Sequence, residues 1–289
     1  MDTVTSLARA GRTRKELRRM IGTRLGDLKT LRATASSETS AVFADRINLT
    51  KSTDSYAGQT AYFCGGQTLL LGVEAYVQSS SASAHMLTFS ESLPVEPALG
   101  DEVHLINWSG VGFTIDDYHN TINDVILSIG ESHFFVPMAI AIDQSYNETT
   151  NTIQLPSELR FIENLDTNYG GYGWQHLTKA RPSGTDGWYV DRASAQVVLL
   201  PWSRTTGTKP DIRITGYGVP PLLENDTDTC AVPAEWFIEE CAARMLEKNI
   251  TQNPGVGNRD RVYNMLRQHA DAIRPINGVR MDSFVERVF

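Results

Sequence analysis

Leu17, Ile21, Leu25 and Leu28 recur at intervals of 4, 4 and 3 residues within "SLARAGRTRKELRRMIGTRLGDLKTLR". That spacing puts them on one stripe of a helix, with basic residues covering its flanks. Gly22 weakens such a helix by about 1 kcal/mol relative to alanine without ending it. From about Thr34 the texture turns to β: "AVFADRINL", "TAYFCGG", "TLLLGVEAYV", "HMLTFS" and "DEVHLINW" are short apolar or alternating runs separated by glycine, serine and proline turns. Strands at this spacing predict a small barrel or sandwich over residues 35–110.

A helical period returns in "FTIDDYHNTINDVILSIG", with Ile115, Tyr118, Ile122, Val125, Ile126 and Ile129 on one face. Thr114 and Asp117 have the spacing of a capping box, and Gly130 is placed to close the helix. A second β region is expected from about Phe134 to Tyr217. Pro233 fits the first turn of a helix whose apolar face is Trp236, Phe237, Cys241, Met245 and Leu246. "NPGVG" breaks it, Asn258 is placed to cap "RDRVYNMLRQHADAI", and a tail follows Pro275.

Composition narrows the class. The chain of 289 residues, 41% hydrophobic and 21% charged, is long enough to bury about three-quarters of its unfolded surface. No apolar run reaches the roughly 20 residues of a membrane span, and the first residues lack the apolar stretch of a secretory leader. The N-x-S/T sequons at Asn48, Asn107, Asn147, Asn225 and Asn249 are therefore expected to be incidental. Cys64, Cys230 and Cys241 are odd in number and read as reduced thiols, with Cys241 as an apolar filler.

The net charge of −8 is unevenly distributed. Residues 1–32 hold nine Lys/Arg against three acids, which leaves 17 basic and 31 acidic residues for the remainder. A basic head on an acidic body points to an acidic partner for the head, either protein or nucleic acid.

Catalytic motifs are missing. "NYGGYGWQ" has the glycines of a phosphate loop but no strand-to-helix passage around them, and no G-x-x-x-x-G-K-[ST], G-x-S-x-G or H-E-x-x-H occurs. Asp116, Asp117 and His119 are neighbours in a first helical turn, where they point apart and favour the helix dipole over a metal. "NDTDT" has too few acids for a calcium loop and reads as a solvated turn. His85, His104, His119, His133, His176 and His269 are scattered through unrelated elements. Trp174, Trp188, Tyr172 and Tyr189 would suit a sugar cleft, but serve equally as core or interface. No catalytic residue, metal or cofactor is expected.

"DIRITGYGVPPLL", "NDTDT", "VPAEW" and "FIEECAARMLEK" run in the order seen late in head-to-tail adaptor proteins of tailed double-stranded DNA bacteriophages, which this chain resembles. The earlier pieces "RKELRRMIGTRLGDL", "DSYAGQTAYFCGG", "FTIDDYHNTINDVI", "IQLPSELRFIENLD" and "AQVVLLPW" also follow that family's order. The resemblance implies a helical bundle core (residues 1–34, 111–133 and 231–274). The β regions read from the strand pattern are then antiparallel barrel- or sandwich-like insertions (35–110 and 134–230) that depart from the family's smaller, mainly helical members, and the whole is an α+β protein. Residues 275–289 would be a docking tail. It implies a homo-oligomeric ring, a dodecamer, in the neck of the virion beneath the portal protein and made in the host cytoplasm. The ring would carry the stopper or tail protein, and genomic DNA would pass through without specific binding. Phe284, Val285, Val288 and Phe289 would then anchor on the portal. Arg12, Arg14, Lys15, Arg18 and Arg19 would face the acidic flank of the next subunit, so that reversing Arg18 and Arg19 to Glu impairs assembly and spares the fold. The alternatives are a nucleic-acid-binding protein using the same basic helix, which would show steep salt dependence, and a virion hydrolase.

Overall fold

The computed structural model describes residues 3–6, 11–34, 39–43, 56–81, 83–107, 112–131, 136–142, 146–147, 151–155, 159–168, 173–191, 193–194, 196–200, 211–218, 220–230, 232–252, 259–273 and 286–287. Among the described residues four α-helices, α1 (Arg14–Leu25), α2 (Ile115–Glu131), α3 (Ala234–Gln252) and α4 (Arg259–Ile273), combine with antiparallel sheets in a mixed α+β fold.

α1 starts later and ends sooner than its leucine spacing predicts. Thr13 caps it in a reciprocal box: its hydroxyl accepts from the Glu16 N–H at 3.2 Å, and its own N–H donates to the Glu16 carboxylate at 3.1 Å. Gly26, at φ 69°, turns the chain left-handed and stops the helix. Leu28 therefore lies on the strand Leu28–Arg32, yet it joins Leu17 and Ile21 in the same apolar cluster. The chain doubles back so tightly that a Cβ on Gly22 would sit 2.3 Å from the Leu28 Cβ. Gly22→Ala should therefore destabilise the fold. Alanine's helix preference is worth about 1 kcal/mol, while forcing apart a packed helix and strand costs about 1–3 kcal/mol and pushes a whole strand, so the clash wins. A lower urea midpoint for the variant checks this.

The strand Leu28–Arg32 opens a six-stranded sheet, followed in order by Glu102–Ile106, Thr60–Gly65, Glu74–Ser81, Met86–Phe89 and Ala41–Phe43. Its two faces are separate cores. Tyr62, Cys64 and Ile106 face the helices, and Ala61, Phe63, Val103 and Leu105 pack into a second cluster with Leu31, Val42, Leu70, Val77 and Leu87. Thr60–Gly65 and Glu102–Ile106 are buried on both faces, which is why these two read as nearly unbroken apolar runs, while Glu74–Ser81 alternates and leaves Tyr76 exposed.

The second β region also begins at the chain's start. Thr3–Ser6 pairs with Val136–Ile142, which continues through Asp211–Gly218 to Leu159–Asn168 and Trp174–Leu177. A four-stranded sheet of Tyr146–Asn147, Thr152–Gln154, Gln196–Leu199 and Trp188–Asp191 shares a core with it around Ile153, Leu165, Trp188, Val197 and Ile214. None of the sheets closes into a barrel among the described residues.

The helices do not form a bundle, contrary to the sequence expectation. α3 lies centrally against α1, α2 and α4, but the place of a further helix is taken by the sheet face carrying Tyr62, Cys64 and Ile106. The reason is the early end of α1, which feeds the chain directly into that sheet. The predicted faces of α2 and α3 are otherwise as expected: Ile115, Tyr118, Ile122, Val125, Ile126 and Ile129 are buried, as are Trp236, Phe237, Cys241, Met245 and Leu246. Thr114 and Asp117 cap each other, and the Pro233 carbonyl accepts from Phe237 at 3.1 Å. Asn258 lies outside the described residues. No described helix is long and apolar enough to cross a membrane.

Candidate functional site

Arg18 is the hub of the helical part. Its side chain is 0% exposed, an environment that demands a counter-ion and a partner for every N–H. The guanidinium forks onto Asp226, with Nη1 and Nη2 donating to Oδ1 and Oδ2 at 2.7 and 2.8 Å. Nη1 also donates to His119 Nε2 at 2.8 Å and Nε to His104 Nδ1 at 3.2 Å, while the Tyr62 ring lies 4.4 Å below the guanidinium carbon. Arg14 adds a second cation to Asp226 at 3.3 Å.

The loop that brings Asp226 in is built for the purpose. Asp228 accepts from the N–H groups of Glu224 and Asn225, both at 2.7 Å, and the Asn123 side chain brackets the Leu223 backbone. The carbonyls of Asp228 and Asp226 accept from Arg14 N–H and Lys15 N–H at 2.9 and 3.2 Å. These are first-turn donors of α1 that have no partner within the helix. "NDTDT" is thus a clamp over the start of α1 rather than the solvated turn expected from its composition.

Electrostatics follow from the packing. Burial raises the Asp226 carboxyl, but the Arg18 bonds and the charges of Arg18 and Arg14 outweigh it and hold Asp226 below the usual carboxylate range. Burial, reinforced by Arg14 and Arg18, drives His119 down to about 4. Burial lowers His104 too. Since guanidinium only donates, both histidines accept from it: His104 carries its proton on Nε2 and His119 on Nδ1. The buried Tyr118 hydroxyl donates to Asp27 at 3.1 Å, and burial beside that carboxylate pushes it upward.

Cys64, Glu102 and His104 bring their donor atoms within 4.8 Å of one another, a grouping their positions in the sequence do not suggest. Their chemistry does not fit a metal. Arg18 occupies His104 Nδ1, so the Nε2 facing Glu102 at 3.6 Å carries a hydrogen in place of a lone pair. Lys15 holds Glu102 at 2.9 Å, and His104, then Lys15, keep that carboxyl down to about 2. Burial pushes the Cys64 thiol up to about 12, which keeps it protonated.

A basic groove lies on the other side of α1. Arg19, Arg24, Lys29 and Arg32 line a cavity of about 920 Å³ over Met20, Leu28 and Ile238, with the carboxylate of Glu102 also in its wall. Arg24 already holds Glu239 at 2.9 Å, and the Lys29 ammonium lies 5.6 Å above the Tyr56 ring.

The five basic residues expected at a subunit boundary are therefore divided. Arg18 is sealed inside, and Arg14 and Lys15 are paired within the chain to Asp226 and Glu102. Arg12 approaches Glu16 at 3.8 Å, and Arg19 is exposed in the groove. Arg18→Glu would bury a carboxylate against Asp226, so reversing it attacks the fold and not a surface. Of the tail residues, Phe284, Val285, Val288 and Phe289 lie outside the described residues. Between them, Glu286–Arg287 pairs with Ile162 and Phe161 of the chain's own sheet. That edge is open because Trp174–Leu177 covers only Leu165 to Asn168.

Of the aromatic quartet, the two tryptophans lie in different environments, one buried and one exposed. Trp188 is core, its indole N–H donating to the Leu177 carbonyl at 2.9 Å; Tyr172 lies outside the described residues; and exposed Trp174 is stacked by Arg213 at 4.6 Å. His104, His119, Tyr62, Glu102 and Asp226 were not singled out as a group by sequence. Only the alternation in "DEVHLI", which sets Glu102, His104 and Ile106 on one strand face, hints at part of it. In comparisons with known proteins, no family model and no curated sequence matches the chain.

Proposed function

We propose that this chain is a structural adaptor of a bacteriophage neck, assembling as a ring beneath the portal, extending the DNA channel and carrying the stopper or tail. It acts by shape and charge and makes or breaks no covalent bonds. The observation that carries the reading is the Arg18–Asp226 hub. It joins α1, α2 and the "NDTDT" clamp, parts whose order along the chain resembles the adaptor family, into one buried unit. The charged side chains brought together there, Arg14, Arg18 and Asp226, are paired with one another and the two histidines are neutral, which suits a load-bearing joint. The test is electron microscopy of the protein mixed with its portal, together with labelling of the particle. The expected result is an annulus under the portal at the neck; a location elsewhere in the particle, or turnover of a substrate by the isolated chain, rejects it.

The groove of Arg19, Arg24, Lys29 and Arg32 is the observation favouring a second reading, binding of nucleic acid. It requires duplex affinity that falls steeply with salt, by about one logarithmic unit per logarithmic unit of salt for each phosphate contacted.

A further inference from the structure

We infer that the basic groove between α1 and the strand Leu28–Arg32 is the seat for the outward face of α2 from a second copy of this chain, an inference that rests on the ring reading. The groove gathers four cations, Arg19, Arg24, Lys29 and Arg32, against one lining carboxylate, Glu102, which Lys15 already holds, above a floor that includes Leu28 and Ile238. A cationic rim over an apolar floor fits a helix that carries carboxylates beside an apolar side chain. A phosphodiester backbone would use the rim and leave the floor idle. The Arg24–Glu239 pair already shows that a carboxylate fits this rim.

The chain itself displays such a helix face. Asp116, Asn120, Asp124 and Leu127 are exposed along α2 at spacings of 4, 4 and 3 residues, and Leu127 is 54% exposed. This is one stripe, opposite to the buried stripe of Ile115, Ile122 and Ile129. Two carboxylates reach for the rim and one leucine for the floor. The acidic surplus of residues 33–289, 31 acids against 17 bases, means that another copy offers this basic groove complementary charge, although the chains as wholes carry −8 each. Groove and stripe are different surfaces of one chain, so their pairing is heterologous and propagates from copy to copy, closing as a ring when the rotation allows.

Charge exchange tests this. The variants Arg19→Glu/Arg32→Glu and Asp116→Lys/Asp124→Lys change exposed side chains, and matching circular dichroism and thermal midpoints within a few degrees verify the fold. Native mass spectrometry and sedimentation at low salt are expected to find the parent chain self-associated. Each variant alone should be weakened by about 100-fold or more, because each now opposes like charges. A 1:1 mixture of the two should reassociate, since every contact then pairs opposite signs. Unchanged association of either variant, failure of the mixture to recover, or a parent chain that stays monomeric up to the highest concentration overturns the inference. Salt-sensitive binding of a DNA duplex that is lost with Arg19→Glu/Arg32→Glu, without self-association, overturns it in favour of nucleic acid. Rings that form normally from both variants reject this interface while leaving the adaptor reading intact; absence from the neck rejects the adaptor reading itself.

Discussion

Asp226→Ala is expected to lower the free energy of unfolding by about 3–5 kcal/mol, because it leaves Arg18 as an uncompensated charge in the core. The Arg18 side chain is 0% exposed and donates both terminal nitrogens to this one carboxylate. His104 and His119 accept from it as well, but they are neutral and supply no counter-charge. Arg14 would also lose its partner, and the clamp over the first turn of α1 would lose its anchor. Thermal unfolding should fall by roughly 10 °C. Asp226→Asn, which keeps an acceptor and loses the charge, should fall between the parent and alanine. Arg18→Met combined with Asp226→Leu should recover most of the loss, since an apolar pair of similar size carries no desolvation cost. An equal loss in the double variant would show that the hub matters through its other contacts and not through the ion pair.

Acid should weaken the same site in a defined window. His119 is held down to about 4 against an ordinary 6.5, by burial first and then by Arg14 and Arg18. Between these values the unfolded chain binds a proton that the folded chain refuses, so stability falls as the pH drops from about 6.5 to about 4. This group then contributes about 3 kcal/mol of loss, which levels off below the folded value. His104, also lowered by burial, acts in the same direction. Glu102 behaves oppositely in origin: with its folded value lowered to about 2, its contribution is present above the ordinary 4.5 and is lost as pH falls through the acid range. Urea midpoints at pH 7, 5.5 and 4.5 should therefore decline for the parent. They should decline less for His119→Gln, whose amide oxygen still accepts from Arg18 and whose charge never changes. The same slope in both proteins would remove His119 from this role.

What could be read from sequence was whatever depended on neighbours along the chain. α2 was legible because Ile115 through Ile129 repeat with the helical period and Thr114 with Asp117 marks the start. α1 was legible in its middle only. Leu28 satisfies the helical spacing by coincidence, reaching the same apolar cluster from a strand after Gly26 reverses the chain. Arg18 departs from the expectation for the basic face of α1 for a physical reason: arginines on a helix flank are usually solvated, as Arg12 and Arg19 are. Burying Arg18 depends on a carboxylate 208 residues away, for which no local pattern exists. The groove has no local signature either, since Arg19 and Arg24 meet Lys29 and Arg32 only after the turn at Gly26.

That same separation has a consequence for biogenesis. A ribosome adding about 5–20 residues per second needs about 10–40 s to travel from Arg18 to Asp226. Throughout that interval the nascent α1 lacks both its counter-ion and the α3 surface it packs against. The sheet built from residues 28–106 is complete in sequence long before then, so it is placed to consolidate first on the ribosome, with the helical layer docking only after Asp226 and α3 have been made.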